Sequence, residues 1–220
     1  MAGRLLARKL EAYGGRDDVI VLGLARGGVP VAYAVASHLR LPLDVVIVRK
    51  LGVPGQRELA MGAIASGGVR VVNQDVLRYL GPHSEKILET ESAKEAVDLA
   101  RREVEYRDGR PPLEVRQRTV ILVDDGLATG ASMRAAATAL RAKGAAKIVV
   151  AVPVGSPETC HELEVEVDEI ICAIAPRWFH SVGQCYKDFS QTTDDEVRGL
   201  IAAAAQESQD SPVSPAKPKA

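Results

Sequence analysis

Five short aliphatic runs, rich in β-branched residues and almost free of polar interruption, constrain the fold of this 220-residue chain more than any other feature. They are Asp18-Val-Ile-Val-Leu-Gly-Leu24, Leu43-Asp-Val-Val-Ile-Val48, Thr119-Val-Ile-Leu-Val-Asp124, Lys147-Ile-Val-Val-Ala-Val-Pro153 and Asp168-Glu-Ile-Ile-Cys-Ala173. A strand with one wet face alternates polar and apolar residues, whereas runs this continuous are covered on both faces, as in a parallel sheet. Helical patterns lie between them. Residues 29–39 carry Pro30 in the first turn, where proline is tolerated, and the Ala-rich stretch 133–143 stops at Gly144. The expected fold is α/β, with a doubly wound, mainly parallel central sheet and helices on both faces. Ligands of such sheets sit beyond the carboxyl ends of the strands, so the strand-to-helix turns are where chemistry belongs.

Two segments leave this rhythm. Residues 84–107 are densely charged, and Ile87, Leu88, Ala96, Val97 and Leu99 give them a partial apolar stripe. One or two inserted surface helices are expected there, their charges solvated and paired about four residues apart without a ligand role. From Gln206 the chain is rich in Ser, Pro and Lys and has no apolar face. Residues 206–220 therefore read as a disordered tail, and residues 1–205 as one domain.

Charge and cysteine content remove other classes. With 28 basic against 29 acidic side chains, the basic bias of a dedicated nucleic-acid binder is missing. No apolar run approaches the roughly 18 residues of a membrane span, and the basic opening MAGRLLARKLEA does not read as a signal peptide. Cys160, Cys172 and Cys185 have no C-x-x-C spacing, so neither a disulfide framework nor a zinc ribbon is expected. A cytoplasmic protein without nucleic-acid or membrane partners is the expectation.

The most informative turn is Val120-Ile-Leu-Val-Asp-Asp-Gly-Leu-Ala-Thr-Gly-Ala-Ser-Met133. A buried strand ends in Asp124 and Asp125. A loop of small residues follows (Gly126, Ala128, Gly130, Ala131) with the hydroxyls of Thr129 and Ser132, and then a helix begins. Glycines let backbone N–H groups approach an oxyanion, and a helix N-terminus adds partial positive charge, so the loop is a phosphate cradle. Two acids beside it would repel a phosphate but accept hydrogen bonds from a vicinal diol. The spacing points to a ribose at one place and a phosphate a few ångströms away. A P-loop would need Lys after Gly130, and a dinucleotide fingerprint would need G-x-G-x-x-G; neither is present.

Residues 123–132 resemble the phosphoribosyl-diphosphate (PRPP) motif of type I phosphoribosyltransferases: a hydrophobic strand, two acids and a Thr-Gly-x-Ser loop. The resemblance covers roughly residues 15–200 and implies that Asp124 and Asp125 hold the ribose hydroxyls. Ala128, Thr129, Gly130, Ala131 and Ser132 would take the 5′-phosphate, with Gly126 also binding substrate. It likewise places a pyrophosphate loop, often with a non-proline cis peptide, at Ala25, Arg26, Gly27 and Gly28. The second run ends in Val48-Arg49-Lys50, before a Gly/Pro-rich stretch to Gly62 that reads as a mobile lid. Arg49 and Lys50 would reach the diphosphate from the carboxyl edge of the sheet, with Arg57 adding charge on closure.

Aromatics make up 4% of the chain, and Trp178, Phe179, Tyr186 and Phe189 crowd into one window of it. Residues 174–190 are expected to form a hood, with Phe179 and Tyr186 meeting a flat acceptor and His180 nearby, before a helix at 194–205. The resemblance implies a Mg²⁺-dependent transfer from PRPP to a nitrogenous, nucleobase-like acceptor with release of pyrophosphate, the metal being held mainly by PRPP and water. Family members that dimerise do so through helices flanking the sheet, and a homodimer is expected on that ground. Two other activities fit the same pocket: a regulatory protein that binds PRPP or a nucleotide without turnover, and a hydrolase of phosphoribosyl compounds.

Overall fold

Each of the five aliphatic runs contributes a strand to one parallel sheet. The computed structural model describes residues 2–210, apart from the side chains of Arg57, Glu58, Gln209 and Asp210. Its strands are β1 (Val19–Leu24), β2 (Leu43–Val46), β3 (Val48–Val53), β4 (Gln56–Ala65), β5 (Val69–Val72), β6 (Thr119–Val123), β7 (Lys147–Val154) and β8 (Glu169–Ile174). Its helices are α1 (Ala2–Lys9), α2 (Gly28–Leu39), α3 (Gln74–Leu80), α4 (Ser84–Arg107), α5 (Ala131–Ala142), α6 (Pro157–Leu163) and α7 (Asp194–Asp210). The main sheet has the order β2-β1-β6-β7-β8, all parallel.

The two-residue period of a strand sends neighbouring side chains to opposite faces. Val19, Val21, Ile121, Val123 and Val149 join one core with α1, α2, α7 and part of α4. Ile20, Leu22, Val120, Leu122, Ile148 and Val150 join a second core with α5 and α6. Each such aliphatic side chain contributes about 1.5–3 kcal/mol on burial, so both faces must be covered and the order of layers is set. At the start of α7, Thr193 and Glu196 cap reciprocally. Thr193 N–H donates to the Glu196 carboxylate at 2.7 Å, and Glu196 N–H donates to Thr193 Oγ1 at 3.1 Å. No helix among the described residues is long and apolar enough to cross a membrane.

The structure corrects four expectations. The second run divides at Ile47, whose N–H donates to Ser66 Oγ at 2.9 Å while its carbonyl accepts from Ser66 N at 2.9 Å. That exchange takes the chain out of the main sheet into a separate antiparallel one, β3-β4-β5. The expected lid is thus the β3–β4 hairpin, turning at Pro54 and Gly55, whose φ of +81° suits glycine. Residues 84–107 form one helix, α4, which is not merely solvated: Tyr106 and Arg107 are buried. Arg107 donates to both oxygens of the buried Asp44 at 2.8 and 3.0 Å and to the Val45 carbonyl at 2.8 Å, fastening the insertion to the edge strand β2. Cys160 and Cys172 form a disulfide joining α6 to β8, because the crossover returns to the sheet beside its own helix. Residues 206–210 continue α7, since Tyr33 and Ser37 of α2 donate to Glu207 and hold its last turns. The remainder of the expected tail, 211–220, lies outside the described residues.

Candidate active site

The strand order places a topological switch between β1 and β6. Connections from β1 run toward β2, and those from β6 run toward β7 and β8, so the carboxyl ends of β1 and β6 are where a ligand of such a sheet belongs. Gly23 pairs with Val123 across this boundary, which puts the turn at residues 25–28 against the acid pair. A Cβ on Gly27 would lie 2.0 Å from Asp125 Oδ2, and one on Gly28 would lie 2.6 Å from the Val123 carbonyl oxygen. Both positions therefore exclude every side chain. The Ala25–Arg26 peptide is cis.

Burial raises the Asp124 carboxyl well above the ordinary range, and the neighbouring charge of Asp125 adds to the effect. Burial raises Asp125 too, partly offset by the N–H of Gly126. Asp124 Oδ1 accepts one hydrogen bond, from Asp125 N–H at 2.8 Å. Burial and mutual repulsion thus both disfavour full ionisation of the pair.

Beyond it the loop is shaped from behind. Thr159 of α6 donates to the Ala128 carbonyl at 2.6 Å, and Arg134 of α5 donates to the Thr129 carbonyl at 2.8 Å. Arg134 is itself held by Glu162 and Glu166 at 2.8 and 2.7 Å. Gly130 caps α5 at φ +72°, a conformation that favours glycine. With two carbonyls tied back, no hydrogen bond among the described residues uses the N–H groups of residues 128–132. These are orphan donors of a loop and a first helical turn, and they suit an anion.

The hood closes from the other side. Tyr186 donates to the Asp125 carbonyl at 2.5 Å, and Val182 fills the space where Gly126 would carry a Cβ. Tyr186 packs on Phe189 with ring centroids 5.3 Å apart, and its hydroxyl pKa is raised by burial and by the two aspartates. Phe179 is half-buried, and Trp178 is 82% exposed.

Arg49 and Lys50 are not at the carboxyl edge of the main sheet. Both sit on β3, because the chain leaves that sheet at Ile47. Lys50 lines a cavity of about 460 Å³ between the second sheet and α5, shared with Ala131 and Ser132 at the start of α5. Arg49 turns to α4 and pairs with Glu95 at 2.7 Å and Asp98 at 3.5 Å. Asp194, at the start of α7, went unnoticed in the sequence. It lies 3.6 Å from Arg26 and accepts a short hydrogen bond from Tyr106, which holds its carboxyl below the ordinary range, with Arg102 and Arg26 assisting. Its partners lie on segments remote in sequence, so no local pattern marks it.

Comparison with known proteins agrees with this geometry. The family profile described as "phosphoribosyl transferase domain" matches residues 1–190. Two Mycobacterium tuberculosis proteins, from strains CDC 1551 and H37Rv, are each 47% identical over 204 residues and are provisionally named phosphoribosyl transferases. The match covers 92% of this chain and 45% of theirs, so the chain spans about half the length of these relatives. The crystal structure of TT1426 from Thermus thermophilus superposes with a TM-score of 0.80 at 43% identity, covering 92% of this chain and 95% of that one. With a matched profile across most of its length and relatives 47% identical over 92% of it, this chain belongs to the phosphoribosyl transferase domain family.

Proposed function

We propose that the protein transfers the 5-phosphoribosyl group of PRPP to a nitrogenous, nucleobase-like acceptor and releases pyrophosphate. The observation that carries this reading is the interlock of the two turns, in which Gly27 and Gly28 lie against Asp125 and Asp124. A diphosphate site and a diol site in contact, with an anion cradle on the next residues, match the three polar parts of PRPP in their order along the molecule.

In this reading Asp124 and Asp125 accept from the ribose hydroxyls. The N–H groups of residues 128–132 and the hydroxyls of Thr129 and Ser132 hold the 5′-phosphate, with Lys50 facing it across the cavity. The backbone of residues 25–28 and the guanidinium of Arg26 hold the pyrophosphate. Tyr186, with Phe179 nearby, borders the place of the acceptor. Transfer passes through a C1 centre with oxocarbenium character, so the protein's part is to orient both partners and balance the leaving charge.

Magnesium fits as an ion held by the ligand. Among the described residues no cluster of three or more His, Cys, Asp or Glu side chains could bind a metal, whereas diphosphate oxygens and water suit a hard cation. When bound, it neutralises charge on the departing pyrophosphate.

The test is incubation with Mg·PRPP and a panel of nucleobases, read by mass spectrometry. A phosphoribosyl product and stoichiometric pyrophosphate are expected with at least one base. Absence of product with every base, or unchanged PRPP binding by the Asp124→Asn/Asp125→Asn double variant, would overturn the assignment.

A further inference from the structure

We infer that Asp194 is a positioning residue, through which helix α4 presents Arg26 to the diphosphate of the ligand; this rests on the transferase reading above. One stripe of α4 carries Glu95, Asp98, Arg102 and Tyr106, spaced so that all four face the same way. Opposite charges alternate through the contacts that this stripe makes. Arg49 of β3 pairs with Glu95 and Asp98, Asp98 pairs with Arg102 at 3.1 Å, and Arg102 pairs with Asp194 at 3.4 Å. Tyr106, whose ring is buried, donates to the same Asp194 oxygen, and Arg102 donates to the Tyr106 hydroxyl at 3.1 Å. Asp194 ends this series of charges and meets Arg26 in the turn after β1.

The Arg26–Asp194 distance of 3.6 Å decides between presenting and sequestering. It is an ion-pair contact, longer than a hydrogen bond, so it orients the guanidinium without consuming its N–H donors. A carboxylate fixed by Tyr106 and Arg102 restricts a side chain that would otherwise sample many rotamers. Ordering such a side chain in advance is worth about two- to tenfold in affinity. The charged insertion thus serves the diphosphate site from outside it.

The test is calorimetric titration of wild type, Asp194→Asn and Tyr106→Phe with Mg·pyrophosphate, Mg·PRPP and ribose 5-phosphate. Asp194→Asn is expected to weaken the two diphosphate ligands about three- to tenfold and to leave ribose 5-phosphate within about twofold. Tyr106→Phe keeps the packed ring, so it carries the test if Asp194→Asn folds poorly. It should show the same selective loss, smaller in size. Equal weakening of all three ligands, as a merely structural role would give, overturns the proposal. So does unchanged diphosphate binding, and so does tighter binding, which would mean that Asp194 competes for Arg26. Wild type that binds none of the three ligands overturns the transferase reading, and this proposal with it.

Discussion

Gly27 has less room than any ordinary glycine position, because the space of its missing Cβ belongs to the carboxylate of Asp125. Gly27→Ala forces the two turns apart. It should cost about 1–3 kcal/mol of stability as an overpacked site and abolish Mg·PRPP binding, measured by urea denaturation and calorimetry on one preparation. Asp124 gives an opposite sign. Folding raises its carboxyl pKa, so the folded chain keeps a proton that the unfolded chain releases above its ordinary pKa of about 4. Stability from this group is complete below that value and declines as pH rises toward the raised native one. Asp124→Asn should therefore have a higher Tm than wild type at pH 7, a gap that closes near pH 4, while its PRPP binding is reduced. The acid pair and the small-residue loop after it were legible as a candidate site because they form one contiguous string. Asp194 was not, since its meaning lies in Tyr106, Arg102 and Arg26, which local spacing cannot bring together.

At the level of elements, two long-range fastenings hold the pieces that pattern alone leaves loose. The Arg107–Asp44 pair joins α4 to β2, both side chains being buried. Arg107→Ala should cost about 3–5 kcal/mol in chemical denaturation, since it strands a buried carboxylate, whereas replacing both partners with apolar residues of similar size should cost far less. The Cys160–Cys172 disulfide closes 12 residues of sequence separation. Reduction should lower stability by about 2–3 kcal/mol on the loop-entropy scale, seen as a fall in Tm with dithiothreitol that Cys172→Ser abolishes. The strands of the main sheet were legible, because burial on both faces leaves an uninterrupted aliphatic run. The β3–β4 hairpin was not: Pro54-Gly55 reads equally as a turn or as part of a loop, and Arg49 and Lys50 interrupt the apolar pattern. The disulfide was hidden for another reason. Spacing reports short motifs, while this bond depends on a crossover returning to its own helix.

Taken whole, the molecule follows from layers: a parallel sheet, a core on each face, and a switch between β1 and β6 that fixes where a ligand can sit. The parallel sheet with helices on both faces was readable from alternation, whereas the strand order that sets the switch and the second antiparallel sheet beside α5 were not. Because the turns at the switch belong to both halves of the sheet, ligand binding should stabilise the entire fold. Mg·PRPP at a hundredfold excess over its Kd should add about 2.7 kcal/mol, visible as a raised Tm, and EDTA should remove most of it. The contact of Gly27 and Gly28 with the acid pair also bears on protein engineering. Transplanting residues 123–132 into another parallel sheet moves half a lock. The recipient must offer a bare-backbone turn on the neighbouring strand, in the register that sets Gly23 opposite Val123. Without it, the grafted carboxylates arrive in space that is already filled.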